Sequence, residues 1–327
     1  MNVVTSVHRL RRRATSVSTF GKRSAAWQDW AVRRSYRSVD FPVDRVHAAK
    51  RGRRISVCIP ARDEETTVGQ IVAAIRRELV EATAVVDEII VMDDGSTDAT
   101  AAVAAAAGAT VYSTREVLSE FAGHGKGQAM WKGVHVSAGD VIVFCDADIR
   151  DFDPRFVLGI AGPLLARDDV VFAKGFYERP VAGSPDGGGR VTELMARPLI
   201  SVFFPHLGDL AQPLSGECGA HRRVLESVPF AGGYGVDLGL LIDVTARFGN
   251  AGLVQCDLGE RVHRNRTLAE LGPQSLAILQ LALERSGAAV EQFPWTAQLI
   301  RPGREAAEVS LVELPALLDV PAHRKTA

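Results

Sequence analysis

The chain has 327 residues, 46% of them hydrophobic, and a formal net charge of -1. That length and apolar content suit one large α/β domain or two small ones around a sizeable core, and the near-neutral balance excludes a dedicated basic nucleic-acid binder. No apolar run approaches the roughly 18 residues needed to cross a bilayer, and the basic N-terminus lacks the hydrophobic stretch of a secretory signal.

Arginines crowd the first part of the chain, at 11–13, 33, 34, 37, 51, 53 and 54; residues 1–25 read as a solvated basic arm. From residue 55 the pattern becomes regular. Ile55-Ser56-Val57-Cys58-Ile59-Pro60 predicts a buried strand. Val68, Ile71, Val72, Ile75 and Leu79 then recur at helical spacing. A second strand is expected over Glu88–Met92, an alanine-rich helix over 98–107 closed by Gly108, and a third strand over Thr110–Tyr112. A helix from Gly127 to Val136 leads to a fourth strand, Val141–Cys145. Further strands are expected over Val170–Phe176 and Leu253–Cys256, with a helix over Val236–Phe248. Thr267–Ser286 reads as helical with an interruption at Gly272-Pro273, its Leu276, Leu279 and Leu283 on one face. The last 35 or so residues carry little pattern. The alternation implies an α/β fold, a mostly parallel Rossmann-like sheet with helices on both faces. The division expected is a half at 26–150, a second half at 151–290 and a tail at 291–327.

Four cysteines, Cys58, Cys145, Cys218 and Cys256, lie far apart without a CxxC pair. Reduced thiols are the expectation, and the chain reads as cytoplasmic.

Ligands of such sheets lie beyond the carboxyl ends of the strands, and polar clusters stand at three of those ends. They are Ala61-Arg62-Asp63-Glu64-Glu65, Asp93-Asp94-Gly95-Ser96 and Asp146-Ala147-Asp148. Asp98 and Asp153 are better read as helix caps. Asp146 and Asp148, one residue apart on an extended chain, point the same way. They can share a divalent cation whose other ligands are diphosphate oxygens, and that cation can act as a Lewis acid on a departing nucleotide diphosphate. Gly125-Lys126-Gly127 places a lysine and helix N-terminal amides where a phosphate could sit, without the spacing of a P-loop. The glycine-rich stretch 183–189 closes on Arg190 and Thr192 and offers amides, a guanidinium and a hydroxyl to a small anion.

Taken together, Ile59-Pro60-Ala61-Arg62-Asp63-Glu64, Met92 to Asp98, Gly125-Lys126-Gly127 and Asp146-Ala147-Asp148 resemble the nucleotide-binding half of the GT-A glycosyltransferases. Gly188 to Leu194, Gln212 to Glu217, Gly232 to Asp237 and His263-Arg264-Asn265 resemble the actinobacterial glucosyl-3-phosphoglycerate synthases, over about residues 26–290. The resemblance implies transfer of glucose from UDP-glucose to the 2-hydroxyl of 3-phosphoglycerate, with retention at the anomeric carbon and with Mg2+ or Mn2+. It implies a donor set of Pro60, Ala61, Arg62, Glu64, Asp94, Gly125, Lys126, Asp146 and Arg261. It implies metal ligation by Asp148 and His263 with Asp146, and catalytic roles for Asp146, Asp148, Lys126 and Asp237. The acceptor set is Gly189, Arg190, Val191, Thr192, Arg264 and Asn265. Three departures stand out: Asp237 where that family often has glutamate, Asp93-Asp94 where close relatives tend to have Asp-Ser, and a shorter glycine loop.

Three other readings use the same donor half. An inverting transferase acting on a lipid phosphate or polysaccharide would want a membrane segment or basic amphipathic helix. A nucleotidyltransferase would want a glycine-rich basic signature after the first strand, where Pro60 to Glu64 stands. A non-catalytic nucleotide-sugar-binding protein would not need Asp146, Asp148 and His263. The leucine-rich stretch 267–286 further suggests a homodimer.

Overall fold

The computed structural model describes residues 30, 33–178, 189–261, 267–288, 296–299 and 307–324. Eight strands form one sheet: β1 (Ser35–Arg37), β2 (Ile55–Ala61), β3 (Glu88–Asp93), β4 (Thr110–Ser113), β5 (Val141–Phe144), β6 (Phe172–Glu178), β7 (Cys218–His221) and β9 (Leu253–Glu260). Their order is β1-β9-β6-β7-β5-β2-β3-β4. Every pairing is parallel except those of β7, which runs antiparallel between β5 and β6. Segments from both expected halves therefore enter the same sheet.

The near-continuous apolar runs of β2 and β5 follow from covering both faces with helices. Side chains alternate between two cores. Cys58, Ile90, Met92, Ile142 and Phe144 point into the first. There they meet α4 (Lys126–Val136), α6 (Arg197–Phe203), α7 (Val236–Phe248) and α8 (Leu268–Arg285). Val57, Ile59, Ile89, Val91, Val141 and Val143 point into the second. It is closed by α1 (Val43–Lys50), α2 (Val68–Ile75), α3 (Thr100–Ala106) and α5 (Arg155–Ala166). The expected spacing of α2 is realised, with Val68, Ile71, Val72, Ile75 and Leu79 all buried and widened turns continuing the helix over Arg76–Glu81. The N-cap positions of α3 and α5 are Ala99 and Pro154, without a side-chain cap, and Asp98 and Asp153 each take a first-turn amide from one residue earlier. Asp98 Oδ1 accepts from Thr100 N at 2.9 Å, and Asp153 Oδ1 from Arg155 N at 2.8 Å.

Two stretches differ from the sequence-based expectation. Helix α8 is not interrupted at Gly272-Pro273 but runs unbroken through Pro273. Thr267 and Glu270 form a reciprocal capping box at its start, and a proline in the second turn costs the helix only one of its hydrogen bonds. Its C-terminal half packs on α7 so closely that a Cβ at Gly235 or Gly239 would sit 3.2 Å from Leu281. The chain's last segment is also more ordered than its composition suggests. A short strand at Glu313–Leu314 pairs with β8 (Phe230–Ala231), and Leu314, Leu317 and Val320 are buried. Trp131 Nε1 donates to Pro315 O at 2.8 Å, and His323 Nε2 lies 3.1 Å from Glu226 Oε1. Residues 1–25 lie outside the described residues, and so do 179–188, which include most of the expected glycine-rich stretch, and 262–266. Among the described residues no helix is long and apolar enough to cross a membrane.

Candidate active site

The carboxyl ends of β2, β3, β5 and β9 open into one cleft of about 550 Å³, a volume usual for a small-molecule site. Every described residue of the expected donor, catalytic and acceptor sets lines it, from Pro60 at the end of β2 to Arg261 after β9. His263, Arg264 and Asn265 lie outside the described residues. Helix α8 contributes Glu270, Leu271, Gln274 and Ile278 to the wall, a role its sequence did not announce. Its Leu276, Leu279 and Leu283 are half-buried within the protomer.

The loops at the rim hold one another. Asp63 Oδ1 accepts from Thr97 N at 2.7 Å, and Asp63 N donates to Ser96 Oγ at 3.0 Å, tying the end of β2 to the end of β3. The buried Asp94 carboxylate accepts from Gly125 N at 2.7 Å and from Thr114 Oγ1 at 3.1 Å. Gly127 N and Gln128 N donate to the carbonyls of Gly233 and Gly232, at 3.3 and 2.9 Å. These amides are thus spent inside the protein, while the Lys126 side chain lines the cleft at the start of α4. The glycines serve packing instead: a Cβ on Gly127 would lie 1.7 Å from Ala231 O.

Lys126 Nζ lies 3.0 Å from Asp146 Oδ1 and 3.1 Å from Asp237 Oδ2. Burial disfavours its charge, yet Asp146, Asp237 and Glu217 together hold it well above the ordinary ammonium range. Arg261 grips the other side of the pair, with Nη1 3.0 Å from Asp146 Oδ2 and Nη2 2.7 Å from Asp148 Oδ1. Burial would raise the Asp146 carboxyl, but Lys126 and Arg261 outweigh it and keep Asp146 ionised far below the usual range. Behind the guanidinium, Glu217 is wholly buried, its two oxygens 2.8 and 2.9 Å from Nη1, and burial pushes its carboxyl up against the pull of Arg261. The Tyr177 hydroxyl accepts from the same Nη1, and its ring lies 4.9 Å from the guanidinium carbon.

The donor count in this cluster is short. Nη1 has two hydrogens and four oxygen neighbours, from Asp146, Glu217 and Tyr177. Four carboxylates, Asp146, Asp148, Glu217 and Asp237, share the Arg261 guanidinium and the Lys126 ammonium, an excess of hard oxygen donors that suits Mg2+ or Mn2+. Asp146 has both oxygens engaged, whereas Asp148 Oδ2 makes no hydrogen bond among the described residues. Among those residues no group of three side chains forms a complete cation cage.

Gly216 also has a steric role here. A Cβ there would fall 2.0 and 2.2 Å from the Asp146 oxygens, and Lys126 and Arg261 leave that carboxylate little room to yield. Gly216→Ala is therefore expected to displace Asp146 and lower kcat by roughly 100-fold, the scale of a 1 Å misplacement; steady-state kinetics beside a thermal melt measures this. Lys174 and Tyr177 were not singled out from sequence. A lysine inside the apolar run of β6 was the available signal, because a buried ammonium demands a partner.

Residues 56–186 match the glycosyl transferase family 2. The chain is 46% identical over 266 residues to the glucosyl-3-phosphoglycerate synthase of Mycolicibacterium paratuberculosis, covering 79% of this chain and 80% of that protein. It belongs to the glucosyl-3-phosphoglycerate synthase family. Two solved structures are similar throughout. The glucosyl-3-phosphoglycerate synthase of Mycobacterium tuberculosis, in complex with Mn2+, UDP-glucose and phosphoglyceric acid, has a TM-score of 0.78 at 42% identity, covering 85% of this chain and 94% of that one. The mannosyl-3-phosphoglycerate synthase of Rubrobacter xylanophilus has a TM-score of 0.81 at 38% identity, covering 90% and 99%. The fold of this family member is accordingly that of a GT-A glycosyltransferase.

Proposed function

We propose that the chain transfers glucose from UDP-glucose to the 2-hydroxyl of 3-phosphoglycerate with retention at the anomeric carbon. The observation that carries this reading is one cleft lined by all described members of the expected donor, catalytic and acceptor sets, in a chain of this family. Pro60, Ala61, Arg62, Glu64 and Asp94 take the uridine and ribose. Lys126 and Arg261 face the diphosphate, Gly125 lines the donor side beside Lys126, and Asp237 faces the glucose hydroxyls. Gly189, Arg190, Val191 and Thr192, with Arg264 and Asn265, take the phosphate and carboxylate of the acceptor. The donor half spans 26–150 and the acceptor half 151–290.

Asp148 and Asp146, with His263, would hold the divalent cation, which when bound supplies Lewis-acid neutralisation of the departing diphosphate. The residues themselves do the rest. Lys126 offers positive charge to the same leaving group. Asp237 is held by Lys126 and Lys174, and Glu217 lies beneath Arg261; neither is poised as a nucleophile. That supports same-face attack: the acceptor oxygen bonds to the anomeric carbon as the bond to UDP breaks, and its proton passes to a diphosphate oxygen. Isolation of a covalent glucosyl-enzyme on either carboxylate would sink this route.

The deciding test is a donor-by-acceptor screen with UDP-glucose, GDP-glucose and GDP-mannose against 3-phosphoglycerate, glycerate and no acceptor. The expected product is glucosyl-3-phosphoglycerate, formed only with 3-phosphoglycerate and lost on adding EDTA. The likeness to a mannosyl-3-phosphoglycerate synthase favours a second reading, mannose transfer, which product formation in the GDP-mannose arm would establish instead. Four unpaired, buried cysteines support a cytoplasmic setting. The homodimer belongs to the same proposal; light scattering that gives the mass of one chain would remove it.

A further inference from the structure

Lys174 stands in the middle of β6, only 1% exposed, and does not line the cleft. Its Nζ lies 3.5 Å from Asp237 Oδ1, and among the described residues no other carboxylate pairs with it. Asp237 lies in the first turn of α7, does line the cleft, and is shared between this hidden lysine and Lys126. Lys126 in turn is shared between Asp237 and Asp146, and Arg261 takes part of the charge of Asp146. The result is an alternating row, Lys174, Asp237, Lys126, Asp146, Arg261, in which Lys126 is the central cation.

We propose that Lys174 is a positioning residue whose charge, by occupying Asp237 from behind, keeps the Lys126 ammonium available to the diphosphate of the donor. The argument is electrostatic. A lone carboxylate 3.1 Å from Lys126 in a largely buried site would draw that ammonium down and offset its field toward the cleft. With Lys174 on the other side, Asp237 is already compensated and Lys126 is held evenly between two carboxylates. The inference rests on the proposed donor reading, and its test separates the two.

The test is calorimetric binding of UDP and of uridine, in Mg2+, to the full chain and to Lys174→Met, Asp237→Asn and the double variant. Lys174→Met is expected to weaken UDP about fivefold or more, with uridine changed by less than about twofold, because only UDP carries the charge that Lys126 meets. Asp237→Asn in the Lys174→Met background is expected to restore UDP binding, since the carboxylate that captures Lys126 is then neutral. A merely structural role for Lys174 would move both ligands together. Unchanged UDP affinity in Lys174→Met, or failure of the double variant to recover it, overturns the proposal. Should Lys174→Met not fold, Asp237→Asn alone decides, because weaker UDP binding by that variant contradicts the inference. No UDP binding by the unaltered chain would instead overturn the donor reading itself.

Discussion

Replacing Lys126 with methionine is expected to lower kcat by about 100- to 1000-fold, the usual cost of losing one preorganised donor to developing negative charge. The ammonium sits at the head of α4 and faces the cleft, while the neighbouring amides of Gly125, Gly127 and Gln128 are bound to Asp94, Gly233 and Gly232. Charge develops on the diphosphate only as the glycosidic bond breaks, so kcat should fall further than donor affinity. Lys126→Arg is not expected to rescue activity, since a planar fork cannot replace a compact ammonium between two carboxylates 3.0 and 3.1 Å away. Single-turnover rates with a saturating donor measure the effect. A rate within threefold of the parent would show that Lys126 does not meet the leaving group.

The second large effect falls on stability. Arg261→Met is expected to cost about 3–5 kcal/mol, because it leaves the fully buried Glu217 carboxylate without its counter-charge. In a chain of this size that lowers the melting temperature on the order of 10 °C. Glu217→Gln in the same background should recover most of the loss, since a neutral amide no longer has to be compensated. Asp146 and Asp148 keep part of their side chains in solvent and can hydrate. Activity should stay low in the double variant, because the grip on both aspartates is gone. A melting temperature unmoved by Arg261→Met would show that the guanidinium is not the counter-ion for Glu217.

Much of the fold was legible in the residues. The strands of the donor half and the helices between them are built from uninterrupted apolar runs and clean helical spacing, patterns that local chemistry enforces because parallel strands must be covered on both faces. Strand β7 was not legible: Cys218-Gly219-Ala220-His221 has no pattern of its own and becomes a strand only in the gap between β5 and β6. The end of the chain was similarly quiet, since Leu314, Leu317 and Val320 are buried in a core whose other members lie far away along the chain. The site divides along the same line. Carboxylates at strand ends, a lysine between glycines and the aspartate pair could be read in order, because each sits where one local element stops.

What the sequence by itself determined was the alternation of strands and helices, the address of the cleft and the chemical type of the groups that line it. Only the tertiary structure decided which charge answers which. Glu217 meets Arg261 across 44 positions, Arg261 meets Asp146 across 115, and Lys174 meets Asp237 across 63. Such pairings are set by how the strands are ordered in the sheet, and strand order depends on long-range packing that no local window of residues contains. A buried charge obliges a partner to exist; the folded sheet alone says where that partner is.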